Sequence, residues 1–441
     1  MAIQSLVIIL TVLIALLVIG VPISYAIGIS SLAAILQIVP MDVSVLTGAQ
    51  RTFVGMSKFS LTAIPFFILA GNLMNQGGIA KRLVDFVLAL LGKLPGALLV
   101  TNVGANALFG AISGSASAAA AAVGSMVREG EDEQGYDKAV CAATNGASAP
   151  SGLLIPPSNA LITYSLVSGG TSVAALFLAG YIPGLLWTVC CIVVAVIIAK
   201  KKGYQGTPGK FDWKNLFTAT MRAIPALSLI VVVIGGIIAG VFTATEGSAI
   251  AVVMFLMVAL FVGGFRKIFY RNITWKSFWK IVVDSAKMSG MIVFLIGVSN
   301  IMGWVMAFTQ IPQAISAALL GLTNNPIIIL LIMNVILLIA GTFMDVTPAI
   351  LIFTPLFLPI VKTFGMDPIQ FGLILVYNLC IGNITPPVGN TLFVSIKIGN
   401  TTLARVMPYM LMYYVAILIG LLLVTYVPAV SLALPAAAGL V

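Results

Sequence analysis

The chain of 441 residues has no histidine, only four cysteines and very little charge: Asp, Glu, Lys and Arg make up 8% of it. Without histidine there is no imidazole proton relay and no His-metal chemistry. Cys141, Cys190, Cys191 and Cys380 all stand in apolar runs, a context that argues against a disulfide framework or a thiolate metal cluster. The shortage of charge excludes the most. A soluble domain carries about 25% charged residues, and this chain could not cover a water-facing surface. What fills it instead is apolar: 61% of residues are hydrophobic and the mean hydropathy is +1.16. Runs of about 20 apolar residues, enough to span a bilayer, recur along the length. The stretch 6–39 has no basic residue before it and no clear small-residue cleavage site. It is expected to stay as spans, not to be removed as a signal peptide. An all-α polytopic membrane protein follows. The net charge of +10 is then read as cytoplasmic loop charge that sets orientation, and no nucleic-acid partner is expected.

Spans are expected near 5–20, 22–39, 60–76, 139–168, 175–200, 218–240, 246–264, 290–310, 369–398 and 404–428. Two further apolar segments, 97–127 and 326–362, are interrupted near their middle by Gly, Ser, Thr, Asp or Pro. Each is read as a re-entrant hairpin, which is tolerated at membrane depth only inside protein or against a water-filled cavity. With both treated so, Lys81, Lys93, Arg128, Lys200, Lys210, Arg266, Lys267, Arg271, Lys280 and Arg405 fall on one side with most other basic residues. Only Arg51, Lys58 and Lys362 fall on the other. The first side is therefore cytoplasmic. Residues 79–92 and 272–288 mix apolar and charged positions at helical spacing. They are expected to lie in the membrane plane against lipid, either as arms bracing a mobile domain or as plain surface anchors.

At an offset of 230 the two halves align without a gap across their polar regions. Gly135 falls on Gly365, Asp137 on Asp367, Gly152 on Gly382, and Pro156-Pro157 on Pro386-Pro387. Ser115 falls on Asp345 and Ser117 on Thr347. The hairpins overlay while opening to opposite faces, so the repeat is inverted, as in many secondary transporters. The division expected is scaffold spans 1–76, a first repeat 77–200, linking scaffold spans 201–271, a second repeat 272–428 and a tail 429–441.

Two kinds of site emerge from this repeat. The first is a helix broken by two prolines: SGLLIPPSN (151–159), after Asn145 and Ser148, and IGNITPPVGN (381–390), after Asn378 and before Thr391. Consecutive prolines remove two backbone donors. The freed carbonyls and flanking Asn, Ser and Thr oxygens suit a hard cation such as Na⁺. A packing kink would explain one such motif, and recurrence at matched positions favours function. The second is the pair of hairpin tips, with Ser113, Ser115 and Ser117 in one and Thr342, Asp345 and Thr347 in the other. A carboxylate at this depth is expensive and functional by default; Asp345 could bind a cation, pair with a cationic group or carry a proton. Glu246 is read as a helix-capping acid with Thr243 or Thr245 as N-cap.

The serine-rich hairpin, the two Pro-Pro breaks, the TATE turn (243–246) and the Asp345 hairpin together resemble the large membrane subunit of tripartite ATP-independent periplasmic (TRAP) transporters, over almost the whole chain. The stretch 155–184 resembles the sialic-acid branch in particular. The resemblance implies an elevator fold of the ion-transporter superfamily in a bacterial or archaeal inner membrane. It implies Na⁺-driven import of an organic acid, of the sialic-acid or C4-dicarboxylate class. The implied partners are a periplasmic substrate-binding protein and a separate small four-span membrane subunit. Carried over residue by residue, it implies one Na⁺ site of Ser113, Ser115, Ser117, Asn145, Gly152, Pro156 and Asn159. A second would comprise Thr342, Asp345, Thr347, Asn378, Gly382, Pro386 and Asn390. Substrate would lie between the tips, near Ser115, Ser158, Asn159, Asn390 and Thr391. A proton-coupled carrier, a passive channel or exporter, and an intramembrane enzyme are the competing readings. The enzyme is disfavoured because no nucleophile–base pair is evident.

Overall fold

The computed structural model describes residues 1–209, 211–261, 274–323 and 325–441. Lys210, Arg266, Lys267 and Arg271, which entered the orientation argument, lie outside the described residues. So do the end of the span expected at 246–264 and the first two residues of the arm expected at 272–288. All regular structure among the described residues is helical. Five helices there are long and apolar enough to cross a membrane: Val173–Lys202, Trp275–Phe308, Pro326–Phe343, Val346–Thr363 and Leu403–Tyr426. Most of the other expected spans are shorter helices, or pairs of helices meeting at a bend or a break.

The helices fall into two packed groups. Ala2–Val18, Ile23–Ile35, Met41–Met56, Ala63–Gln76, Ala244–Phe261 and Trp275–Phe308 form one, a scaffold. The other contains both interrupted segments and both broken helices. The first hairpin is Ala97–Ser113 packed on Ala116–Glu133, turning at Gly114, whose φ of +62 favours glycine. The second is Pro326–Phe343 and Val346–Thr363, turning at Met344 and Asp345. The first broken helix runs Lys138–Ser148, Ser151–Leu154 and Asn159–Val167, and the second Pro368–Gly382 and Asn390–Ile398. Both Pro-Pro bonds are cis.

The repeat is visible in the joints. Gly110 of the first hairpin meets Gly152 of the first break, and a methyl on Gly110 would sit 2.7 Å from the Gly152 Cα. Gly341 meets Gly382 in the second half, where a methyl on Gly341 would sit 3.1 Å from the opposing Cα. Glycine on both sides lets backbone touch backbone.

Three expectations change. Residues 275–288 are not a separate arm but the first half of Trp275–Phe308, because their apolar stripe continues unbroken into the next span. The helix standing before the second hairpin, as Ile79–Leu91 stands before the first, is Ile311–Leu322. Each of these arms bridges the two groups. Ile79–Leu91 packs on Ala97–Ser113 and on Ala63–Gln76, while Ile311–Leu322 packs on Val346–Thr363 and on Ala2–Val18. The unexpected helix Met41–Met56, amphipathic and carrying Asp42 and Arg51, meets the helix ending at Gln76 with a 58° bend. The tail expected at 429–441 contains the helix Pro428–Ala437, which packs on Val173–Lys202.

Gly382→Val is expected to lower the thermal midpoint of the purified protein, by overpacking worth about 1–3 kcal/mol. Gly290, which has open space around it inside Trp275–Phe308, is the control. Gly290→Ala should leave the midpoint unchanged or raise it slightly.

Candidate functional site

Both hairpin tips open on one cavity of about 450 Å³ between the two helix groups. Ser113, Ser115, Ser117, Asn159, Asp345 and Thr347 line it, so residues assigned to two separate ion sites share one space. Gly114 explains the closeness of tip and break: a methyl there would lie 2.7 Å from the Asn159 side-chain nitrogen, Nδ2. In the second half the Val388 amide donates to the Thr342 carbonyl at 3.2 Å.

Ser115 and Asp345 occupy equivalent structural positions. Each is the N-cap of the helix that leaves its tip: the Ser115 hydroxyl accepts from the Ala118 amide at 3.3 Å, and the Asp345 carboxylate from the Val346 amide at 2.9 Å. Serine and aspartate are about equally good caps, so the repeat keeps the cap and changes only the charge. Ser117 lies 3.3 Å from Ser115, hydroxyl to hydroxyl, and the Ser113 hydroxyl accepts from the Ser115 amide at 3.4 Å. Both capped N-termini, Ala116 to Ala118 and Val346 to Pro348, line the cavity. Their dipoles give it a positive bias that favours an anion. Among the described lining residues, Asp345 is the single charged group.

Other sequence candidates stand back from the cavity. Asn145 is buried in a polar network: Asn106 Nδ2 donates to Asn102 Oδ1 (2.8 Å), Asn145 Oδ1 (3.0 Å) and Ser148 Oγ (2.9 Å). Asn145 itself donates to Ser395 Oγ at 3.1 Å, joining the first hairpin to both broken helices. Asn378 makes the matching network in the second half, donating to Asn334 Oδ1 at 2.8 Å, while Asn334 donates to Thr425 at 3.1 Å. Their surroundings suit holding helices together. Ser158 is fully buried, caps Asn159–Val167 and donates to the Leu153 carbonyl. Gly152 and Gly382 are joints, as above. Thr342, Pro156, Pro386, Asn390 and Thr391 do not line the cavity. Asn390 is exposed, and Thr391 is buried with its hydroxyl unpartnered among the described residues. Glu246 forms a capping box: its carboxylate accepts from the Thr243 amide at 2.7 Å and hydroxyl at 3.0 Å, and its amide donates back at 3.3 Å.

Sequence reasoning missed part of the wall. Asn383 lines the cavity and is 6% exposed, and its Oδ1 has no partner among the described residues. Its repeat partner is Leu153, so a comparison that rewards matches passes over it. Asn72 and Asn75, one turn apart on Ala63–Gln76, and Met288 and Met291 form the scaffold side. The asparagine spacing at i and i+3 in an apolar span was the available signal.

Inverted repeats, paired hairpins facing paired broken helices, and a cavity at their junction define a multi-pass membrane transport protein. The comparisons name the family. The model of the tripartite ATP-independent periplasmic transporter, DctM component, matches residues 10–430, and the chain belongs to that family. It is 48% identical to the uncharacterized protein YgiK of Salmonella typhimurium, covering 95% of this chain and 94% of that one. It is 39% identical to the isethionate TRAP transporter permease protein DctMQ of Oleidesulfovibrio alaskensis, over 94% of this chain and 64% of that protein. It is 33% identical to the sialic acid TRAP transporter large permease protein SiaM of Vibrio cholerae, over 94% and 95%. The solved YdaH transporter of Alcanivorax borkumensis shares the fold, with a TM-score of 0.59 at 14% identity, over 83% of this chain and 85% of that one.

Asn106→Leu should strand Asn145 and Ser148 and lower stability by about 1–3 kcal/mol, read as a drop in thermal midpoint. Asp345→Ser keeps a good cap and should hold the midpoint within about 0.5 kcal/mol of the parent.

Proposed function

We propose that the chain is the large permease subunit of a Na⁺-coupled importer of an organic anion, working as an elevator in a bacterial or archaeal inner membrane. The carrying observation is the cavity: two helix N-termini and several amide and hydroxyl groups surround it, with one carboxylate and no cationic side chain among its described lining residues. The helix ends favour an anion. Asp345 repels it unless a cation shares the space, and no Lys or Arg there supplies one. A cation from solution answers both needs, and the hydroxyl and carboxylate oxygens of the tips are suitable ligands for Na⁺. The cofactor-like role of Na⁺ is thus that of a co-substrate.

The elevator reading is supported by the arms and the cavity walls. Ile79–Leu91 and Ile311–Leu322 each connect the scaffold group to a hairpin, a suitable suspension for a domain that moves. The cavity has one wall from each group. The fusion named DctMQ, of which this chain covers 64%, supports a small membrane subunit as a separate partner. The family description supports a periplasmic binding protein that delivers substrate. Higher identity to the isethionate relative than to the sialic-acid relative supports a small carboxylate or sulfonate.

A proton on Asp345 would also relieve the repulsion, and this is the second reading. Uptake of isethionate, succinate and N-acetylneuraminate into proteoliposomes holding the permease and its two partners separates them. Na⁺ coupling predicts uptake that stops when choline replaces Na⁺ and speeds up with a negative interior, since one charge crossing 100 mV is worth about 2.3 kcal/mol. Asp345→Asn should weaken Na⁺ dependence at least about tenfold while keeping the cap. Uptake indifferent to Na⁺ but driven by a pH step would favour the proton.

A further inference from the structure

The cavity accounts for Asp345, which is exposed to it; another acid is buried. Glu131, in the last turn of Ala116–Glu133, is 4% exposed, and its Oε1 has no partner among the described residues. It lies beyond the apolar part of the hairpin, in the charged stretch REGEDEQGYDK (128–138), on the face where basic residues concentrate. Cys141, on the broken helix Lys138–Ser148 packed against this one, lies beside it.

Two cations of this region are engaged elsewhere. Arg128 pairs with Asp132 at 3.4 Å and donates to the Ile398 carbonyl. Lys202 pairs with Asp137 at 3.0 Å. Tyr136 stacks on Tyr204 at 4.1 Å between ring centres, and the Tyr204 hydroxyl accepts from the Asp137 amide at 2.8 Å. Of the helices packed against Ala116–Glu133, Ala97–Ser113 and Ser151–Leu154 carry no titratable group. Asn390–Ile398 carries Lys397, Ile79–Leu91 carries Lys81, Arg82 and Asp85, and Lys138–Ser148 carries Lys138 and Cys141. Burial pushes the Glu131 carboxyl up to about 7, with a smaller push from the Asp132 charge and against smaller effects of Cys141 and Arg128.

The repeat supplies an independent argument. At the offset of 230, Glu131 falls on Val361, which is fully buried in the second hairpin. The fold builds this position with an aliphatic side chain in one half, so packing does not call for an acid in the other. A local rule broken without a structural need marks a functional position.

We propose that Glu131 is a proton-binding site, separate from the cavity, that couples pH on the basic face to the packing of the first hairpin against its broken helix. The proton comes from bulk water and returns to it. Neutral Glu131 rests in its apolar seat beside Cys141. Ionised, it must draw water in or swing out, and the hairpin base loosens. The direction follows from the raised folded value: the packed form is favoured at low pH and weakens as pH rises through about 7.

Hydrogen–deuterium exchange of the full chain in nanodiscs tests this without any substrate. After correction for intrinsic exchange, peptides covering 116–148 should exchange up to about tenfold faster at about pH 8 than at about pH 6. Glu131→Gln and Glu131→Val should remove that difference, and an infrared carboxylic-acid band lost on raising the pH should be missing from Glu131→Gln. A Gln variant that keeps the parental pH dependence, or a parent with none, overturns the proposal. Should the Val variant fail to fold, the Gln variant decides alone.

Discussion

A backbone amide or carbonyl inside a bilayer has no water to bond, and each one left unmatched costs several kcal/mol. Everything distinctive in this protein is a managed exception to that constraint. Four chain breaks, two tips and two Pro-Pro segments, lie within otherwise apolar helices. Each is matched locally. The tips are capped by Ser115 and Asp345, and the second break is tied back through Thr342. Both breaks lean on glycine joints where backbone meets backbone. Because the exceptions are costly, they are gathered in one place, and the cavity is where they meet.

The sequence made the breaks easy to find, since Pro-Pro and clustered small polar residues have no other business in apolar runs. The same held for the repeat, whose matches are rare residues such as Gly152 and Gly382. The hairpin tips, 113–116 and 343–346, were legible to within a few residues. What escaped were features without a compositional edge. Met41–Met56 and Ile311–Leu322 are short helices that read as loop or as part of a neighbour. The buried asparagine networks were not legible, because an Asn oxygen looks the same in sequence whether it faces Na⁺ or another amide. Asn383 was hidden by the very alignment that revealed its neighbours. Burial and partner, not residue type, separate these roles, and both are properties of the folded chain.

Asymmetry within the repeat carries the chemistry. One capping position is neutral and one is charged, and one hairpin base holds Val361 where the other holds Glu131. Duplicated architecture sets the shape, while unpaired substitutions decide what each half responds to. The scaffold shows the same divergence at larger scale: the first half reaches Gln76 through a 58° bend, while the second is one continuous helix from Trp275 to Phe308.

The two glycine joints have a mechanical consequence. A side chain between helices acts as a soft spacer, able to change rotamer and absorb a displacement. Gly110 on Gly152 and Gly341 on Gly382 have no such spacer. A push on either tip therefore passes straight into the broken helix behind it, with little slack. Hairpin and break behave as one stiff lever, and compliance is confined to the arms and to the few residues at each tip.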